Sequence, residues 1–116
     1  MKLLITRKKM IEIFAEELAY IQIRADWWYY VSKLKHEERQ EMASKMLDDA
    51  IELRYICNEF GIIKEVYAEA YKIYDFRNSG RHNFVPDIEL IKKLNREFCI
   101  PRKKKRPIIA DVRRYN

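Results

Sequence analysis

Helix-breaking residues are scarce in this sequence, with two glycines and three prolines among 116 residues. So few breakers argue against a turn-rich all-β architecture and leave room for long helices. Cysteine is equally sparse. Cys57 and Cys99 stand far apart and form no CxxC, so they read as reduced thiols buried on apolar helix faces. Glutamine occurs only at Gln22 and Gln40, while charged residues reach 36%, a bias in the direction of thermophilic proteins. No apolar run approaches the roughly 18 residues needed to cross a membrane, and Arg7, Lys8 and Lys9 break up any signal-peptide layout. The sequence-based expectation is a cytoplasmic protein with no membrane association, or a nuclear one in a eukaryote. There is no HExxH, no glycine-rich phosphate loop and no GxSxG, so the sequence offers no metal site, cofactor site or nucleophile elbow.

What is present is a hydrophobic content of 48% in a chain the size of one domain, enough to bury a core without disulfides. Its apolar residues follow the helical period. From Thr6, a suitable N-cap, to about Leu34, one face carries Ile11, Phe14, Leu18, Ile21, Ala25 and Trp28. A second face, about 150° away, carries Ile13, Tyr20, Ile23, Trp27, Tyr30 and Leu34. A helix apolar on two sides must be covered on two sides, by its own chain or by a partner. From His36 to Phe60 a single stripe runs through Ala43, Met46, Ala50, Leu53 and Cys57, with Gly61 placed as a C′ residue. Shorter helices are expected over 62–77 and from Pro86 or Asp87 to Phe98, where Pro101 should end the last one. The predicted fold is therefore all-α, an up-down bundle of about four helices, two long and two shorter. The bundle would occupy residues 1–100 and a basic C-terminal tail residues 101–116.

Charge is unevenly divided between these parts. Residues 1–100 hold 17 bases and 17 acids, whereas residues 101–116 hold seven bases and one acid. The net charge of +6 thus belongs to the tail, and only the tail argues for a polyanionic partner. Arg102, Lys103, Lys104, Lys105 and Arg106 offer five consecutive cations to phosphates. Arg7, Lys8 and Lys9 add to them, since cations at a helix N-terminus oppose its dipole and call for another reason. In an antiparallel bundle both groups fall at one end. The Gly61 joint also fits a helix-turn-helix spacing, but the second helix would set Glu65 and Glu69 against phosphates.

The run Trp27, Trp28, Tyr29, Tyr30 alternates between both faces of the first helix. It suggests a homodimer or partner interface built from Trp27, Trp28, Tyr30, Tyr20 and Ile23, with the loop 81–85 as an alternative cover. Glu38 and Glu41 form one ExxE, and no ExxD follows, so no catalytic residues are assigned and the chain is read as a non-enzyme. These observations lead to a small accessory or regulatory protein that contacts DNA or RNA without sequence preference through its basic end, as a homodimer. The alternative is a protein-binding adaptor or inhibitor, of viral or mobile-element type, acting through the aromatic helix surface.

Overall fold

The first helix starts where its capping chemistry dictates. The Thr6 hydroxyl oxygen accepts from the Lys9 backbone N–H at 3.1 Å, satisfying one of the donors that a helix start leaves unpaired. A computed structural model describes residues 6–102 of the chain, which are all-α, with no strand among the described residues. Four helices account for most of them. Helix α1 is Arg7–Asp26 and runs into a π-helical turn, Trp27–Val31; α2 is His36–Glu59, and α3 is Ile63–Ile73. Helix α4 is Ile88–Leu94, prolonged by a second π-helical turn, Asn95–Cys99, and by three α-helical residues, Ile100–Arg102. Lys103, Lys104, Lys105, Arg106 and the rest of the tail lie outside the described residues.

The two apolar faces of α1 are both covered by the chain itself. Phe14, Leu18, Ile21 and Ala25 of one face and Tyr20 and Ile23 of the other are buried, because α1 packs against α2, against α3 and against α4 with its π turn. Tyr20 and Ile23 were expected at an interface; they are core residues instead, since α1 is the central helix. On α2 the expected stripe of Ala43, Ala50, Leu53 and Cys57 is buried, joined by Ile56.

Helix α2 ends on local chemistry. Gly61 adopts φ +68°, the left-handed conformation that a side chain disfavours. There its N–H donates to the Asn58 carbonyl at 3.1 Å, and the Ile62 N–H donates to the Cys57 carbonyl at 3.0 Å. This double closure is a Schellman motif, with Ile62 and Cys57 both buried beneath it. Helix α3 stops at Ile73, short of the expected Arg77. Tyr74 turns extended, and Phe76 folds back onto Tyr71, with ring centroids 4.8 Å apart. Burying the Tyr74 and Phe76 rings takes precedence over continuing the helix.

Helix α4 is capped by Asp87, whose side chain accepts from the Leu90 N–H at 3.1 Å. It does not end before Pro101 as expected but continues to Arg102. Proline removes the N–H that would bond to residue 97 and crowds that carbonyl, and the wider π turn over Asn95–Cys99 lies where that bond is missing. Four side-chain ties fix the helices around α1: Arg7 to Gly61, Asp26 to Tyr74, Arg24 to Asn95, and Glu16 to Arg102. No helix among the described residues is long and apolar enough to cross a membrane.

Candidate functional site

Asp26, the last residue of α1, carries a buried carboxylate, only 6% exposed. Its Oδ2 accepts from the Tyr74 hydroxyl and, at 2.8 Å, from the Ser79 hydroxyl. Removal from water raises its pKa above the usual 3.8, and the two hydroxyl donors work against that rise. Burial also raises Tyr74, helped by the neighbouring Asp26 carboxyl. Tyr30 is raised by burial first and by the Asp26 charge second, while a bond from the Gly80 backbone opposes both.

These groups line a cleft of about 860 Å³ between α1, α2 and the segment that follows α3. From α1 come Gln22 and Asp26, from the π turn that follows it Tyr29 and Tyr30, and from α2 Gln40 and Ser44. The opposite wall is built by tight turns, in which Ser79 N–H bonds to Phe76, Arg81 N–H to Asn78 and Phe84 N–H to Arg81. Gly80 permits this path with φ +78°. The turns bring Arg81, His82 and Phe84 to the cleft. Sequence reasoning missed this site. Its traceable signals were an acid inside an apolar helix and the only two glutamines of the chain.

The aromatic run lies beside the cleft. The Ser32 N–H bonds to the Trp27 carbonyl at 2.9 Å, which closes the π turn. Trp27 and Trp28 meet edge to face at 5.1 Å, and the Arg24 guanidinium lies over both rings while donating to Asn95 at 2.6 Å. Tyr30 meets Phe84 at 5.7 Å. Trp27, Trp28 and Tyr30 are thus half-buried within the chain, and the 81–85 loop supplies part of their cover.

The candidate phosphate contacts are dispersed. Arg7 donates to the Gly61 carbonyl at 3.3 Å and pairs with Glu65 at 3.2 Å. Lys9 lies 3.8 Å from Glu12, and Lys8 is exposed. Arg102 is a structural cation: it bonds Glu16 at 2.6 Å, lies 3.7 Å from the buried Glu17, and covers the Phe98 ring. Lys103, Lys104, Lys105 and Arg106 fall outside the described residues. Glu65 and Glu69 of α3 are exposed, paired with Arg7 and Lys72.

The outer face of α2 carries a second feature that the reading of its single stripe passed over. Leu47, Ile51 and Tyr55 follow one another at intervals of four, and all are exposed, Tyr55 at 68%. Cys57 and Cys99 are free and buried, their thiols pushed up to about 11 and about 12 by burial. Among the described residues no three His, Cys, Asp or Glu gather as metal ligands would. Fold and site together define a small all-α domain with a polar and aromatic cleft. No protein-family model, curated protein or solved structure matches the chain.

Proposed function

We propose that this chain is a small accessory protein that contacts nucleic acid without sequence preference through its basic C-terminal segment. The observation that carries this reading is the charge division: 17 bases against 17 acids in residues 1–100, and seven against one in residues 101–116. The use of cations within the fold supports it. Arg7, Lys9, Lys45, Lys72, Arg77, Lys92 and Arg102 all lie in ion pairs with acids of the same chain. With equal numbers of acids and bases in residues 1–100, the helical body has no net positive charge to offer a polyanion. The up-down order of the four helices belongs to the same proposal, and the ties of Arg7 to Gly61 and Arg102 to Glu16 are consistent with it. In it Arg102, the residue that precedes the basic run 103–106, lies beside Glu16.

Because Arg102 holds the last helix to α1, the test leaves it in place and replaces Lys103, Lys104, Lys105 and Arg106 by serine. Each phosphate contacted on duplex DNA contributes about 0.9 to the slope of log affinity against log salt, so losing four contacts should flatten it by about 3 to 4. Helical content should stay unchanged by circular dichroism. Undiminished binding and an unchanged slope would transfer the contact to the helical body and refute the proposal.

We also propose a homodimer, supported by the exposed row Leu47, Ile51 and Tyr55 on α2 in place of the first-helix aromatics. Charged residues beside that row favour a second copy as its cover.

A further inference from the structure

The cleft has a polarity along its depth. At its floor the Asp26 carboxyl accepts both of its bonds on Oδ2, from Tyr74 and Ser79, and Oδ1 accepts none of the bonds found. Oδ1 therefore keeps acceptor capacity for a donor that enters. Gln22 on α1 and Gln40 on α2 line the walls, and neither side chain is hydrogen-bonded to a described group. Each amide offers both a donor and an acceptor. The rings of Tyr29, Tyr30 and Phe84 supply flat apolar surface, and Arg81 and His82 bring exposed basic side chains from the loop. Arg81 forms no ion pair with a described acid.

A ligand that complements this arrangement carries N–H donors and carbonyl or ring acceptors on a planar aromatic body, and an anionic group at its other end. The volume, about 860 Å³, lies in the range of small-molecule sites, about 300 to 1,000 Å³. We infer that the cleft binds a nucleotide, its base directed toward Asp26, Gln22 and Gln40 and its phosphate toward Arg81 and His82. The pattern matches the way proteins hold unstacked bases, by hydrogen bonds to their edges and by aromatic surfaces. This inference stands apart from the proposal for the basic segment, because none of its residues lies beyond Phe84. The nucleotide has two sources, a free mononucleotide or an unpaired nucleotide within a strand.

The test is a titration of the full ¹⁵N-labelled chain with the four ribonucleoside 5′-monophosphates, with the corresponding nucleosides, and with a single-stranded hexanucleotide. The expected result is chemical-shift change at the Gln22 and Gln40 side-chain amides and at the backbone of 79–82, with saturation near about 1 mM or below. Gln40→Ala should weaken binding about five- to tenfold, the effect of one lost hydrogen bond. Arg81→Ala should erase the advantage of nucleotide over nucleoside. Both side chains are exposed, so these variants retain the fold. Saturation by mononucleotides identifies a free nucleotide as the ligand; shifts with the hexanucleotide alone, at the same amides, identify a strand. Silence of these amides with every probe overturns the inference. So does binding that Gln40→Ala and Arg81→Ala leave unchanged, which would place the nucleotide elsewhere, whatever the basic segment does with duplex DNA.

Discussion

At Asp26 burial and hydrogen bonding pull in opposite directions, and burial is the larger effect. A carboxyl whose pKa is raised on folding holds its proton more tightly in the folded chain than in the unfolded one. Its contribution to stability is fully present below the unfolded value, about 3.9, and is lost as pH rises through the folded value. The titratable groups facing it, Tyr74 and Tyr30, are both raised above the usual 10.0 and keep their protons throughout that window. Asp26→Asn retains an oxygen that accepts from the Tyr74 and Ser79 hydroxyls but has no proton to lose. Urea unfolding between about pH 4 and about pH 7 should therefore show wild-type stability declining relative to the Asn variant. A difference that stays flat across this range would mean that Asp26 titrates as an ordinary exposed acid.

Among the helices, termini set by local chemistry were readable and those set by distant packing were not. Thr6 as an N-cap, Asp87 at the start of α4, where it is the N-cap, and Gly61 after α2 act through neighbours within a few residues, so their spacing alone identifies them. The end of α3 was placed too late because Tyr74 leaves the helix to reach Asp26, 48 positions away. Both π turns were also invisible, since one concerns how four consecutive rings are accommodated and the other how a helix carries Pro101. The cleft suffered the same limit: its carboxylate was visible in the sequence, but its partners lie 48 and 53 residues on. Gly61 supplies a clean measurement of a local determinant. A Cβ added there meets nothing within 4 Å, so Gly61→Ala should cost only the left-handed backbone penalty, about 1 to 2 kcal/mol. Gly61→Asn should cost less, because asparagine tolerates that conformation. Equal losses for the two variants in chemical denaturation would mean that steric contact, and not backbone conformation, sets this position.

At the scale of the whole molecule, α2 carries an apolar row that the described chain leaves uncovered. The first-helix residues that suggested a partner are buried or half-buried by the chain's own α2, α4 and the 81–85 loop, whereas Leu47, Ile51 and Tyr55 remain exposed. On the helical period, with Ile51 at the centre, Asp48 lies about 60° to one side and Arg54 about 60° to the other. A twofold axis running along the helix sets the Arg54 flank of one copy against the Asp48 flank of the other, so the surface is complementary to itself in a parallel pair. The opposite orientation would place like charges together. Sedimentation equilibrium at micromolar concentration should accordingly report about twice the 14.2 kDa of one chain. Ile51→Glu should yield monomers of unchanged stability, within about 0.5 kcal/mol, because the side chain is exposed in the single chain. Arg54→Glu should weaken the pair by bringing acids together, and combining it with Asp48→Lys should restore it, since the exchange returns opposite charges to the two flanks. A wild-type chain that stays monomeric at about 100 μM, above the Kd of any micromolar pair, would remove the dimer. A dimer that survives Ile51→Glu would place the contact on another face.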